Sequence, residues 1–123
     1  MKIVNGTDIV EISRIRKDIE QIGERFLNKI YTEKEIEYCE SKKAQKFQSY
    51  AARFAAKEAA YKALSSRINF KYCWKDFEIL NQEDGRPYMN LHFNIDGLEE
   101  IEVSLSHCKE YAVANIVAIY KES

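Results

Sequence analysis

The sequence places two carboxylates and an amine where phosphate chemistry needs them. Asp8 interrupts the β-branched segment KIVNGTDIVEI, in which a carboxylate has little use. Glu58 and Lys62 are four residues apart in RFAAKEAAYKAL, so they are neighbours on one side of a helix. Two carboxylates, completed by substrate phosphates and water, are the usual protein ligands of Mg²⁺. One interpretation is therefore that Asp8 and Glu58 share a magnesium ion and that Lys62 adds a positive charge beside it.

The same residues also have simpler interpretations. Glu58 and Lys62 are spaced for an ordinary salt bridge between positions i and i+4, which contributes ~0.3–0.5 kcal/mol to a helix. Asp8 is placed to accept a hydrogen bond from a nearby backbone amide, because a buried carboxylate is costly unless it is paired or bound to a cation. These local interactions imply no activity, and the sequence alone leaves both interpretations open.

A third stretch, VSLSHCKEYAVA, offers polar groups at the end of a predicted strand. His107 precedes a tight turn, and Ser104 and Ser106 add hydroxyl groups before it. A single histidine in this position is equally compatible with a structural role. Neighbouring residues of a strand point to opposite sides, so His107 and Cys108 do not form a nucleophile pair. With no Ser/His/Asp set and no glycine-rich phosphate loop, the sequence predicts no covalent intermediate.

The elements that must position these residues begin with an N-terminal strand. The alternation of a strand puts Asp8 on the face toward the core. The residues that share this face are Val4, Gly6, Asp8, Val10 and Ile12. Ser13 is predicted to cap a helix over RIRKDIEQIGERFLNKI. Thr32 and Glu35 predict a capping box at the start of the next helix, TEKEIEYCESK.

A long alanine-rich helix is predicted over residues 45–66. Its alanines form a broad face of small side chains, against which another backbone can pack closely. Glu58 and Lys62 fall at one edge of this face, and Arg53 and Lys57 fall near the other. The charges of this helix are therefore predicted to lie where it meets other elements.

After this helix the hydrophobic pattern changes to a period of two. The predicted strands are DFEIL, PYMNLHF, EIEVSLSH and YAVANIVAIY. The turn NQEDGRP between the first two uses Gly85 for a positive φ angle and Pro87 to close it. One strand, then helices, then an antiparallel strand meander predicts an α+β fold, in a single domain over residues 1–123.

Composition argues against several classes of protein. The net charge is −1, so the chain as a whole is not expected to bind nucleic acid. The N-terminus lacks the apolar core of a signal peptide, and no segment is long and apolar enough to span a membrane. Three widely spaced cysteines without a CxxC pair predict reduced, structural thiols rather than a disulfide scaffold or a zinc site. These features predict a cytoplasmic protein.

Three stretches together resemble the bacterial holo-[acyl-carrier-protein] synthases, the short branch of the 4'-phosphopantetheinyl transferases. They are NGTDIVEISRI, RFAAKEAAYKAL and VSLSHCKEYAVA, in the family's order and spacing over nearly the whole chain. The resemblance implies transfer of the 4'-phosphopantetheine arm of coenzyme A (CoA) to a serine of apo acyl carrier protein, with release of adenosine 3',5'-bisphosphate. It also implies a part in fatty-acid and lipid synthesis, and it leaves the preferred carrier protein open.

The resemblance also implies roles for individual residues. Asp8 and Glu58 would hold magnesium and Lys62 would be the active-site lysine, while the base that takes the serine proton stays open between Glu58 and a water. The CoA site that the resemblance implies comprises Arg53, Lys62, Gly85, Arg86, Pro87, Ser106 and His107. Two segments depart from the family: SSRINF replaces a glycine-containing segment, and Tyr61 is bulkier than the usual occupant.

The resemblance further implies a homotrimer whose sites are formed between adjacent subunits. It also implies that an acidic carrier protein docks on the basic first helix, where Arg14 matches a docking position of the family and Arg25 adds charge; solvated surface residues are the simpler alternative. Two other functions fit the same motifs: a catalytically silent subunit that binds CoA or a nucleotide, and a magnesium-dependent phosphohydrolase that uses water as the acceptor.

Overall fold

Helices occupy most of the N-terminal half of the chain and four of the five strands lie in the C-terminal half in the computed structural model, which describes residues 1–121. In chain order the elements are β1 Lys2–Glu11, α1 Ile12–Ile22, α2 Glu24–Ile30, α3 Glu33–Ser41, α4 Lys46–Leu64, β2 Phe77–Asn81, β3 Pro87–Leu91, β4 Leu98–His107 and β5 Tyr111–Tyr120. Short 3₁₀ turns lie at Lys43–Gln45, Ser65–Arg67 and Trp74–Asp76. The predicted α+β order is confirmed.

The strands form two antiparallel sheets. β2 pairs with β3 as a hairpin, and β4 pairs with β5, both in chain order as in a meander. β1 closes the larger sheet by pairing with β5, which gives the strand order β1-β5-β4. This long-range pairing places Asp8 opposite Ala114 of β5, the strand that follows the turn after His107.

The helix boundaries follow the local signals in part. The capping box before α3 is confirmed: the Glu35 N–H donates to Thr32 Oγ1 at 3.2 Å, and the Thr32 N–H donates to Glu35 Oε1 at 2.9 Å. The prediction that Ser13 caps the first helix is wrong. Because β1 runs directly into α1 at Ile12, Ser13 already lies in the first turn. The single long helix predicted there is two helices, because Gly23 adopts a positive φ of 75° between them.

The alanine face of α4 packs against β1 and β5. The buried alanines are Ala51, Ala52, Ala55, Ala56, Ala59, Ala60 and Ala63. Gly6 of β1 supplies the close approach that these small side chains allow. A Cβ atom at Gly6 would lie 2.1 Å from the carbonyl oxygen of Ala59 and 2.9 Å from the Ala63 nitrogen. Strand and helix are therefore in backbone contact two residues before Asp8.

We expect Gly6→Ala to destabilise the fold by about 1–3 kcal/mol, because the added methyl group has no space between strand and helix. The free energy of unfolding, measured with urea, tests this. Asn5→Ala is the matched control, because Asn5 is exposed on the opposite face of β1. A variant at Gly6 as stable as the parent would contradict the close approach.

Lys57 lies in the core rather than at an open edge of α4. Its ammonium donates to Glu35 Oε1 at 2.8 Å and to the carbonyl oxygens of Trp74 and Phe77 at 3.1 and 2.7 Å. Burial lowers the pKa of Lys57, and the pairing with Glu35 opposes that shift. All three donors of the ammonium are used, so this residue ties α4 to α3 and β2 and offers no free charge to a ligand.

The three cysteines are unpaired, as predicted. Cys39 is buried in the core, whereas Cys73 and Cys108 are exposed, so a structural role in packing fits only the first. Among the described residues, no helix combines the length and the apolar character that crossing a bilayer requires.

Candidate active site

The carboxylate of Asp8 is paired with Lys62 across the contact between β1 and α4. The Lys62 ammonium donates to Asp8 Oδ1 at 2.9 Å and to the Thr7 carbonyl oxygen at 3.1 Å. The Asp8 side chain is 18% exposed and the Lys62 side chain 51% exposed, so the pair lies at the surface end of the contact. Asp8 faces the core side of the sheet, as the alternation predicted, but its partner is an ammonium and not a backbone amide.

Glu58 lies one helical turn before Lys62 and is half-buried. Within residues 1–121 its carboxylate makes no hydrogen bond and no ion pair in the structure. The simple salt bridge between Glu58 and Lys62 is therefore wrong, because Lys62 turns to Asp8 instead. A half-buried carboxylate without a partner among the described residues, one helical turn from the lysine that pairs with Asp8, is suited to binding a cation.

The carboxylates of Asp8 and Glu58 could hold magnesium only together with ligands from water and substrate. The described residues contain no cluster of three or more His, Cys, Asp or Glu side chains that would enclose an ion by themselves. Magnesium is commonly held by one or two carboxylates, with waters and substrate phosphates completing its shell. With two carboxylates alone, Asp8 and Glu58 would hold magnesium only in such an open arrangement, so this site remains a prediction.

A polar cavity of about 580 Å³ lies on the other side of α4. It is lined by several of the residues predicted to bind CoA, namely Arg53, Gly85, Arg86, Pro87 and His107. Lys42, Gln45, Ser49, Asn81 and Ser104 complete its polar lining. Ser106, which was predicted to bind CoA, is not part of the cavity lining. The cavity thus collects cationic and hydroxyl groups suited to a phosphate-bearing ligand.

Arg53 forms the wall of this cavity on α4. Its guanidinium donates to Asn81 Oδ1 and, at 3.3 Å, to Ser49 Oγ, and it stacks 4.1 Å from the centroid of the Tyr38 ring. Its Nε–H is buried without a hydrogen-bond partner among the described residues. A guanidinium held in a fixed plane in the lining of a cavity is suited to binding an anion.

The turn from Asn81 to Pro87 forms the opposite wall. Gly85 adopts a φ of 91°, as the turn prediction required, and its carbonyl accepts from Asn81 Nδ2 at 2.9 Å. Asp84 accepts from the backbone N–H and the side chain of Arg86 at 3.0 and 3.1 Å. These bonds hold the turn in one shape, and Arg86 contributes to the cavity lining.

The two groups of predicted site residues lie on opposite sides of α4. Arg53 and Lys62 are nine residues apart, which corresponds to about 180° around the helix and about 13 Å along it. The cavity lining includes neither carboxylate and does not include Lys62. One chain therefore carries an acidic half-site beside β1 and a basic half-site beside β4, with a helix between them.

The basic residues predicted to dock a carrier lie on the two short helices. Arg14 of α1 is exposed, and its guanidinium carbon lies 5.6 Å from the centroid of the Phe54 ring. Arg25 of α2 is also exposed. Lys42, Gln45 and Ser49 are the site residues that sequence reasoning missed. They precede or open α4 and carry no motif, and their shared position at the cavity depends on how α4 crosses the sheet.

An α+β chain with separate carboxylate and cationic half-sites has the features of an enzyme that acts on a phosphate-bearing nucleotide. The family model described as the 4'-phosphopantetheinyl transferase superfamily matches residues 5–116. The chain belongs to the 4'-phosphopantetheinyl transferase superfamily, and the class of enzyme is a transferase.

Relatives with 43% and 48% sequence identity to this chain are both named holo-[acyl-carrier-protein] synthase. The holo-[acyl-carrier-protein] synthase of Ruminiclostridium cellulolyticum is 48% identical over 123 residues, covering 95% of this chain and 92% of the relative. The holo-[acyl-carrier-protein] synthase of Chlamydia pneumoniae is 43% identical over 123 residues, covering 97% of this chain and 99% of the relative. The resemblance inferred from the three motifs is therefore confirmed.

Two solved structures are similar to this chain. The Helicobacter pylori holo-[acyl-carrier-protein] synthase in complex with coenzyme A has a TM-score of 0.80 at 30% identity, covering 94% of this chain and 99% of that one. The Bacillus anthracis synthase in complex with CoA (3',5'-ADP) has a TM-score of 0.76 at 33% identity, covering 94% of both chains. Both likenesses support the predicted fold.

Proposed function

We propose that this chain is a holo-[acyl-carrier-protein] synthase that transfers 4'-phosphopantetheine from CoA to a serine of apo acyl carrier protein and releases adenosine 3',5'-bisphosphate. The observation that carries this proposal is the Asp8–Lys62 pair beside the unpaired carboxylate of Glu58, on a scaffold similar to synthases solved with CoA. In this proposal the serine hydroxyl of the carrier attacks the β-phosphate directly, and the oxygen of the leaving bisphosphate departs.

The residues of the acidic half-site have different roles in the proposed reaction. Asp8 and Glu58 would hold magnesium, which when bound neutralises charge on the phosphate oxygens. Lys62 has three N–H donors and uses two of them on Asp8 and Thr7, so one is left for a phosphate oxygen of the leaving bisphosphate. Glu58, which has no hydrogen-bond or ion-pair partner among residues 1–121, would accept the serine proton directly, or a water would do so.

The residues of the basic half-site bind and orient the nucleotide. Arg53, Arg86 and His107 lie around one cavity and supply donors for the adenosine 3'-phosphate. The backbone of the Gly85 turn fixes one wall, and no step of the reaction passes through it. Binding the distant phosphate here orients the pyrophosphate that must react at the other half-site.

The transfer itself is tested by weighing the carrier protein. Incubation with CoA, magnesium and an apo carrier should add the mass of one phosphopantetheine group to the carrier. Release of the bisphosphate without a mass gain would instead indicate the phosphohydrolase, and no product of either kind would indicate a silent binding subunit. The transferase is favoured because the carboxylates and Lys62 are all in place and because the basic α1 surface suits a protein acceptor.

The proposed assembly is a homotrimer that joins the acidic half-site of one subunit to the basic half-site of the next. Two observations support it. The half-sites lie on opposite sides of α4, so one chain alone does not bring them together. The face of the larger sheet that α4 leaves uncovered also exposes apolar side chains: Ile3 and Ile9 are 61% and 63% exposed there. Val113 and Val117, on the same face by register, extend this apolar surface. We place this assembly in the cytoplasm.

Reversing the charge of Arg14 is expected to raise the KM for the carrier about fivefold or more and to leave the KM for CoA nearly unchanged. An acidic carrier that docks on α1 brings its serine toward Asp8 at the end of β1, and charges at such a rim set the rate of association and weaken with salt. Steady-state kinetics of Arg14→Glu at two salt concentrations measures both constants.

Lys34→Glu is the matched control, because Lys34 is an exposed cation on α3 outside both half-sites. Equal changes in the two KM values of Arg14→Glu, or an effect of the control as large as that of Arg14→Glu, would contradict docking on α1.

A further inference from the structure

Arg53 is a buried cation that no carboxylate neutralises among residues 1–121. Only 3% of its surface is exposed, yet it lines the polar cavity. Its hydrogen bonds go to two neutral groups, Asn81 Oδ1 and Ser49 Oγ, and its guanidinium lies over the ring of Tyr38. Its charge is therefore left for an anion in the cavity, and the direction of the guanidinium depends on the neutral groups that hold it.

Asn81 joins Arg53 to the turn that forms the opposite wall. The oxygen of its amide accepts from the Arg53 guanidinium, and the nitrogen donates to the Gly85 carbonyl oxygen at 2.9 Å. Arg53 is 28 positions away in the sequence and Gly85 is four positions away, so the amide links α4 to the hairpin of β2 and β3. Rotating the amide by half a turn would set two donors against each other and two acceptors against each other, so these partners fix its orientation.

A neutral amide suits this position better than a carboxylate or an apolar side chain. Aspartate would also accept from Arg53, but it would cancel the charge of the guanidinium and place a second oxygen against the Gly85 carbonyl. Leucine has a similar shape and makes neither hydrogen bond. Asn81 is only half-buried at the end of β2, opposite Pro87 in the hairpin, so its side chain is not part of the apolar core. The amide therefore directs a charge without neutralising it.

We propose that Asn81 is a positioning residue for the adenosine 3'-phosphate of CoA. It holds the Arg53 guanidinium on one wall and, through Gly85, the turn that carries Arg86 on the other. The inference rests on the proposed function, which assigns this phosphate to Arg53, Arg86 and His107. Donors that are held in place before the ligand arrives lose less conformational freedom on binding. Asn81 should therefore increase the affinity for ligands that carry the 3'-phosphate and not for those that lack it.

Two nucleotides that differ only by this phosphate test the proposal without turnover. They are adenosine 3',5'-bisphosphate and adenosine 5'-phosphate, and the dissociation constant of each is measured by calorimetry in magnesium. We expect Asn81→Leu to raise the Kd of the bisphosphate about tenfold and that of the 5'-phosphate less than about twofold. Asn81→Asp should raise the Kd of the bisphosphate at least as much, because it keeps a partner for Arg53 but cancels its charge.

Steady-state kinetics provides a second measurement of the same difference. Asn81→Leu should raise the KM for CoA about tenfold and leave nearly unchanged the KM for dephospho-CoA, which lacks the 3'-phosphate. The kcat with either substrate should change little, because the reacting phosphate lies at the other half-site. Asn94→Leu is the matched control, since Asn94 is an exposed asparagine outside the cavity lining.

Thermal unfolding of each variant shows whether the fold is kept, and Asn81→Asp provides the same comparison of nucleotides if Asn81→Leu does not fold. An unchanged Kd of the bisphosphate, equal changes for the two nucleotides, or a parent chain that does not distinguish them would overturn the positioning role. The expected nucleotide affinities without any transfer to the carrier would instead count against the proposed function alone.

Discussion

Replacing either carboxylate of the acidic half-site with its amide, as Asp8→Asn or Glu58→Gln, is expected to lower turnover about a hundredfold or more. Each substitution keeps the size of the side chain and removes the charge that would hold a cation against the phosphates. The effect should appear in kcat, because charge develops on the phosphate oxygens as the bond to the leaving group breaks. The measurement is the rate of carrier modification in saturating magnesium, CoA and carrier.

Both variants should remain folded, so a loss of turnover would reflect the active site and not unfolding of the chain. Glu58 makes no hydrogen bond or ion pair within residues 1–121, so its neutral amide costs the fold little. Asp8→Asn keeps an oxygen that can accept from Lys62, and the pair is partly exposed. Glu99→Gln is the matched control, because Glu99 is an exposed acid that does not line the cavity of the basic half-site. Near-parental turnover of either variant would remove the magnesium assignment.

Local signals predicted the elements well and their ends less well. The capping box at Thr32, the turn glycine at Gly85 and the alternation through Asp8 depend on residues within a few positions, and all three are confirmed. Ser13 was misplaced because the strand enters α1 without a break, which a preference for serine at helix ends does not reveal. Gly23 stands in a continuous helical pattern, and only its backbone angle divides the helices.

Pairings between distant residues were beyond local patterns. Lys62 was spaced for Glu58, yet it bonds Asp8, which is 54 positions away and comes near only because β1 packs on α4. Lys57 looked like a charge at the edge of a helix, and it is a buried ion-pair partner of Glu35. A sequence gives the spacing along one helix directly, whereas burial and cross-element partners follow from the packing of the whole core.

The half-sites illustrate the same limit at the level of function. Positions on either side of α4 follow from its turn of about 100° per residue, so the separation of Arg53 from Lys62 was predictable from the sequence. The cavity that gathers Lys42 and His107 was not, because it depends on the place where α4 crosses the sheet and on the hairpin turn at Gly85. Whether adjacent subunits bring the acidic and basic half-sites together depends on the assembly and not on one chain.

Mixing two nearly inactive variants should restore activity if each site is shared by adjacent subunits. Asp8→Asn damages the acidic half-site and His107→Ala the basic one, so a site is intact when it takes its acidic half from one variant and its basic half from the other. In a closed trimer that contains both variants this holds for one site of the three, that is for about a third of sites. The two chains, carrying different tags, are expressed together, and mixed trimers are purified through both tags and assayed at limiting CoA.

The matched control mixes Asp8→Asn with Glu58→Gln, which damage the same half-site. No site of such a trimer takes both carboxylates from an intact half, so activity should stay at the level of the single variants. Restoration in the first mixture and none in the second is the result that requires sites between subunits, because improved folding or tag effects would act on both mixtures alike. A monomer in sedimentation of the parent chain, or equal activity of the two mixtures, would mean that one chain reaches its phosphates and its nucleotide alone. The exposed Ile3 and Ile9 would then need another partner.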